Sequence, residues 1–233
     1  VIDWSAPWLV PYRALGERVE AAWQLGGSLA DALSRESGMR FVAHAQMPAG
    51  EPYETFVHRS GSVPVHDNLH DFFNGLVWLV HPDLKMHLNR LQAVALARDG
   101  VAGHRGRLRD AVTLLDENGA LLTAPPALLS ALAVRDWERL FVALRPLWRD
   151  AALTVVGHAL LEKLVQPRKP ITAHVLIKPP LTVDLARKPF LPLPVLGVPG
   201  WWPANEQPGF YDDPAVFRPT QADSTGRKPS IDR

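Results

Sequence analysis

The stretch His66–His81, HDNLHDFFNGLVWLVH, sets three histidines, two aspartates and two asparagines beside one of the most apolar runs of the chain. Placed at about 100° per residue from Asn68, the side chains of Leu69, Phe72, Phe73, Leu76, Val77, Leu79 and Val80 share one broad arc, which predicts a helix buried along that face. His70, Asp71, Asn74, Trp78 and His81 fill the remaining sector. His70 and Asn74 stand one turn apart with Asp71 flanking them, so an imidazole, an amide and a carboxylate share a stripe capable of chemistry. Asp67 or Asn68 is the natural N-cap, and Asn68 with Asp71 forms a variant of the capping box, which gives Asp71 a structural role as well. His66 then precedes the helix, so the His66-x3-His70 spacing is a weak signal for a ligand pair.

Outward from this helix, Leu15, Val19, Ala22 and Trp23, then Leu29 and Leu33, recur at helical spacing with Gly26-Gly27 between them, predicting a broken or kinked helix over 10–36. RFVAHAQ (40–46) and YETFVHR (53–59) alternate in character around PAGEP and read as neighbouring strands. Pro82 opens a second helix running to about Ala97. In AVTLLDENGALLT, the Asn118-Gly119 pair between apolar runs reads as a hairpin turn. Helices are expected over 125–133, 136–146 and 150–165, and ITAHVLIK reads as a last strand.

Twelve of the 22 prolines fall between Pro167 and Pro219, which forbids long helices there. LPVLGVPGWWP is too apolar for a solvated linker. The expected architecture is therefore α+β: a mainly helical domain over 1–180 with a small antiparallel sheet, an extended Pro/Trp-rich arm over 181–219 packed on it, and a disordered tail over 220–233.

Composition narrows the chemistry. The absence of cysteine removes thiolate metal sites and disulfides and makes a reducing cytoplasm the expected compartment. With 25 Lys and Arg against 24 Asp and Glu, the net charge of +1 gives no global reason to expect nucleic acid. VIDWSAPWLV lacks the basic start and cleavage site of a signal peptide, and no apolar run reaches the roughly 20 residues of a membrane span.

Chemistry-bearing residues outside the first helix are few. In VVGHALLEKLV, His158 and Glu162 stand four apart on a nearly all-apolar segment, so they either satisfy each other or meet a ligand together with His70. Asp116 and Glu117 precede the Asn-Gly pair, where turn chemistry alone accounts for acids. Arg105, Arg107 and Arg109 in HRGRLR offer guanidinium forks to phosphate or carboxylate. No Walker loop, dinucleotide-binding glycine pattern, GxSxG elbow or HExxH is present.

HDNLHDFFNGLVW, LRDAVTLLDENGALL, GHALLEKLV, ITAH and LPVLGVPGWWPANEQPGFYDDPAVFRP together resemble the bacterial family catalogued as domain of unknown function 3025, in the family's order and over nearly the whole chain. The resemblance implies no reaction, but it marks His70, Asp71, Asn74, Asp116, Glu117, Gly157, His158 and Glu162 as family positions. It does not mark His66.

Two functions are expected to compete. One is a metal-dependent hydrolase, acting on a phosphoester, with His70, Asp71, Asn74 and Glu162 as catalytic groups, His70, His158 and Glu162 holding a divalent ion, and Arg105, Arg107 and Arg109 holding an anion. The other is a non-catalytic binding or assembly protein whose polar residues fasten helices, with Trp201, Trp202, Phe210 and Tyr211 anchoring a partner or a second copy. Convergence of His70 with His158 in an open site discriminates between them.

Overall fold

The computed structural model describes residues 1–100, 106–177 and 181–219. Its helices are α1 (Arg13–Gln24), α2 (Leu29–Ser34), α3 (Tyr53–Ser60), α4 (Leu69–Val80), α5 (Pro82–Asp99), α6 (Arg107–Asn118), α7 (Pro126–Ala133) and α8 (His158–Lys163). Its strands are β1 (Arg40–Ala43), β2 (Ser62–Val65), β3 (Gly119–Thr123), β4 (Ala152–Val155), β5 (Thr172–Leu176) and β6 (Phe190–Pro194). The α+β class expected from the sequence is what forms.

The strands make two sheets. β1 and β2 pair in parallel; the larger sheet runs β4-β3-β5-β6, with β3 antiparallel to β4 and parallel to β5, and β6 antiparallel to β5. The larger sheet is thus mixed rather than antiparallel. α1 and α2 are separate helices, parted at Gly26, whose φ of +90° suits glycine, and Ser28 caps α2 by accepting from the Asp31 amide.

Three segments fold otherwise than expected, for identifiable reasons. Residues 53–59 form α3, not a strand: Tyr53, Phe56, Val57 and Ser60 recur at helical spacing, Glu54 stands in the first turn, and Gly61 ends the helix at φ +64°. β1 instead pairs with the strand just beyond that helix, so α3 is the crossover that a parallel pair requires. Asn118-Gly119 is not a hairpin turn: Leu108, Ala111, Val112 and Leu115 recur at helical spacing, α6 ends at Asn118, and Gly119 starts β3 at φ −84°. Residues 150–165 split into β4 and α8, because Ala152–Val155 completes the edge of the sheet beside β3. The 136–146 segment coils as expected, as a π-turn over Arg139–Ala143 followed by a 3-10 run from Arg145.

β5 is not the last strand. β6 comes from the proline-rich arm, whose Pro192 and Pro194 sit on the edge strand, where a missing N–H costs nothing. Beyond it, the Asn205 amide donates to the carbonyls of Leu196 and Val198, the Tyr211 hydroxyl to Gly197, and the Trp137 indole to Arg218. Trp201 packs against Trp8, Trp202 against Phe210, and Tyr211 stacks on Phe141. The four aromatic anchors therefore find their partners within the chain, and the larger of two hydrophobic clusters among the described residues draws on side chains from Ile2 to Phe217. The tail expected over 220–233 lies outside the described residues. Among the described residues, no helix is long and apolar enough to cross a membrane.

Candidate functional site

α4 starts as its sequence dictates. The Asn68 side chain accepts from the Asp71 amide at 2.7 Å, and the Asp71 carboxylate accepts from the His66 amide at 2.6 Å and faces His66 Nδ1 at 2.8 Å. Asp71 is thereby committed to the helix start, and His66 stacks on His44 rather than reaching His70. Phe72, Phe73, Leu76 and Val77 are fully buried, which fixes the helix rotation and aims His70 at α8 and Asn74 at α3 and α5. His81, at the far end, lies edge-on to Tyr12.

α8 is brought to the end of α6 by two glycines. A Cβ on Gly157 would lie 2.5 Å from the Gly119 nitrogen, 2.6 Å from the Glu117 oxygen and 2.7 Å from the Asn118 Cα, and a Cβ on Gly119 would lie 2.3 Å from the Leu115 oxygen. The amides of Val156 and Gly157 both donate to the Gly119 carbonyl. This backbone-to-backbone approach sets His158, the first residue of α8, directly against Asp116 and Glu117 in the last turn of α6.

The result is a cluster from three helices. His70 Nε2 and His158 Nε2 are 3.1 Å apart, and the Glu117 carboxylate is 3.5 Å from His158 Nε2. His70, Glu117 and His158 each offer one ligand atom, and these atoms lie within 4.8 Å of one another. Glu162 faces the other nitrogen of His70, Nδ1, at 2.9 Å. Nδ1 of His158 is buried without a hydrogen-bond partner, with the Asp116 carboxylate 3.8 Å away. Each ring thus has an acidic residue on its Nδ1 side, and each turns its Nε2 towards the same point.

The charges around the cluster are ordered. Lys85 is 4% exposed and donates to Asp116 at 2.5 Å and to Asn74 at 2.8 Å; Asn74 in turn donates to the Tyr53 hydroxyl. Burial alone would raise the Asp116 carboxyl, but Lys85 and then His158 more than offset it and hold it below the usual range. Burial, and next the neighbouring Asp116 charge, raise Glu117. Burial, with help from the Lys85 charge, lowers His158 from its ordinary 6.5 to about 4, so its imidazole is neutral at pH 7.

A measurable pH dependence follows. In chelator-treated protein the unfolded chain protonates this histidine below about pH 6.5, while the folded chain resists down to about pH 4. Its contribution is fully present above pH 6.5 and is lost as the pH falls through that window, by about 3 kcal/mol. Urea midpoints measured across the window should show this slope, and His158→Phe should flatten it; an unchanged slope would assign the effect to other groups.

The structure brings together His70, His158 and Glu162 as the sequence pattern marked them, but with a different division of labour. Glu162 faces His70 from behind, and Glu117, read as a turn acid, is the third residue of the cluster that could offer an ion a ligand atom. Asn74 serves the Lys85 network, and Lys85 was not singled out at all: a lysine in the middle of a helix carries no sequence mark of burial. Arg107 and Arg109 sit at the opposite end of α6, about 15 and about 12 Å of helix axis from Glu117 at 1.5 Å per residue, and Arg109 bonds Gln92. Arg105 lies outside the described residues. A cavity of about 1000 Å³ between residues 134–145 and the arm has mixed charge and no histidine.

Fold and site together define an α+β protein with a two-histidine, one-carboxylate cluster at the meeting point of three helices. The model of the protein family of unknown function DUF3025 matches residues 39–184 and 180–221, and the chain belongs to that family. No curated protein and no solved structure matches it.

Proposed function

We propose that His70, His158 and Glu117 form a divalent transition-metal centre and that the protein is a metal-dependent hydrolase. The observation that carries this reading is the facing pair of Nε2 atoms at 3.1 Å. Two imidazoles on one ion at about 2.0–2.1 Å stand ~3.0 Å apart at right angles and ~3.3 Å apart at the tetrahedral angle, which brackets the observed separation. The Nδ1 sides fit the pattern: a histidine ligand usually gives its other N–H to a carboxylate or carbonyl, as Glu162 is placed to accept from His70, and the Asp116 carboxylate lies on the Nδ1 side of His158. Two imidazoles favour zinc or a similar first-row ion over magnesium or calcium.

His158 is buried, but the side chains of His70, Glu162 and Glu117 are 40%, 38% and 35% exposed, so the cluster opens to solvent on one side. Three protein donors and an open face are the pattern of a catalytic rather than a structural zinc site. A bound ion would supply a water of lowered pKa for attack on an ester. The residues do the positioning: Glu162 fixes the proton of His70 on Nδ1, Lys85 keeps Asp116 ionised beside His158, and burial keeps the His158 imidazole neutral and free to donate its lone pair. The competing reading, in which the polar residues merely fasten helices, accounts for Asp71 and Asn74 but leaves the half-exposed Glu117 beside two facing imidazoles without a purpose.

Titration of chelator-treated protein with zinc, checked by elemental analysis, should give one equivalent bound. His158→Ala and Glu117→Gln should lose binding, and Glu162→Gln should weaken it about 10–100-fold. Absence of a bound equivalent in the folded parent sinks the metal centre; an ion held without turnover of chromogenic phosphate or carboxylate esters sinks the hydrolase.

A further inference from the structure

A second feature adjoins the cluster. Asn118, Leu160, Lys163, Arg168, Pro170, Ile171 and Thr172 line a cleft of about 390 Å³ between α8 and β5. Its lining contains two cations and no carboxylate, and among the described residues neither Lys163 nor Arg168 has a carboxylate within ion-pair distance. The Lys163 ammonium is held in place by the Asn118 side-chain oxygen at 2.7 Å. His174, two residues along β5 from Thr172 and on the same face of the strand, has an Nδ1 without a hydrogen-bond partner. Leu160, Pro170 and Ile171 supply an apolar floor.

The position of the cleft gives it meaning. Asn118 follows Glu117 and Lys163 follows Glu162, so each wall of the cleft is one residue removed from a wall of the cluster. Lys163 is close enough to Glu117 for its charge to be felt there. Two cations with no carboxylate in ion-pair reach offer an anion charge-assisted hydrogen bonds, and a phosphate, with more charge and more oxygens than a carboxylate, engages an ammonium and a guanidinium fork together.

We propose that this cleft is a phosphate subsite, holding a phosphoryl group of the substrate on Lys163 and Arg168 while the organic portion rests on Pro170 and Ile171. It takes the place that the sequence pattern gave to Arg105, Arg107 and Arg109. Its assignment as a substrate subsite rests on the metal-centre reading; its capacity to bind phosphate does not.

The test uses inorganic phosphate titrated calorimetrically into the full chain at physiological ionic strength, with and without zinc. Phosphate should bind, Lys163→Ala/Arg168→Ala should weaken it about tenfold or more, and Arg149→Ala/Arg187→Ala, which removes two exposed cations elsewhere, should not. Acetate should bind far more weakly. The Lys163/Arg168 double variant should still bind one equivalent of zinc, which separates the two sites. Failure of phosphate to bind the parent, equal loss in both double variants, or equal affinity for acetate would overturn the subsite whatever the zinc titration gives. Phosphate binding lost in the double variant of a chain that takes up no zinc would uphold the subsite and sink the metal centre alone.

Discussion

Gly157→Ala is expected to destabilise the protein by about 3 kcal/mol, near the top of the usual range for overpacking, and to lower Tm by roughly 6–12 °C for a chain of this size. The backbone of Gly157 is extended, at φ −74° and ψ 115°, so alanine meets no conformational penalty there. The cost is steric. The added methyl carbon would stand 2.5–2.7 Å from three backbone atoms of Glu117, Asn118 and Gly119, none of which can rotate away as the end of a side chain can. Relief requires α8 to move off the end of α6, which carries His158 away from Glu117, so zinc affinity should fall with stability. A variant melting within a degree or two of the parent would show that the crossing is looser than described.

Lys85→Met is the second large effect. The ammonium it removes is 4% exposed and bonds Asp116 and Asn74, so the variant leaves a carboxylate of which only 27% is exposed without its counter-charge. Removing one partner of a buried pair costs about 3–5 kcal/mol, and the partial exposure of Asp116 places this case near 3 kcal/mol. Lys85→Met combined with Asp116→Asn should recover a substantial part of that loss, since no unpaired charge is then left inside. The sign of the pH effect is fixed by Asp116: its folded pKa is depressed, so its contribution is present above the unfolded value of about 3.9 and is lost as the pH falls through the lower folded value. The parent should show this acid limb, and the double variant should lack it. Equal stability of the single and double variants in urea would count against the pair as the source of the loss.

α4 was legible residue by residue because its apolar arc, its cap and its polar stripe all agree on one period. Residues 53–59 were not, because a seven-residue stretch can satisfy alternation and helical spacing together; Pro52 ahead of it and Gly61 behind it were the better guides. The Asn118-Gly119 pair misled for a related reason. Glycine there answers to a carbonyl of α6 that its Cβ would strike, a close approach and not a reversed turn, and only the spacing from Leu108 to Leu115 could have said so. That misreading hid Glu117, since an acid beside a turn needs no further purpose, whereas an acid in the last helical turn beside an incoming histidine does. The meeting of His70 with His158 is a matter of topology, and no local pattern encodes it. The family resemblance marked both positions without placing them together.

The two imidazoles that face each other are 88 residues apart in the chain. A chain without cysteine has no disulfide across that loop, so its closure rests on non-covalent contacts alone. An ion shared by His70, Glu117 and His158 would act as a removable staple between three helices. The unfolded chain offers it no preformed set of donors, so binding would be coupled to folding, adding about 2.7 kcal/mol at one hundred times the dissociation constant. The same side chains that open one face to solvent would thereby make the tightness of the fold a function of the ion supply around it.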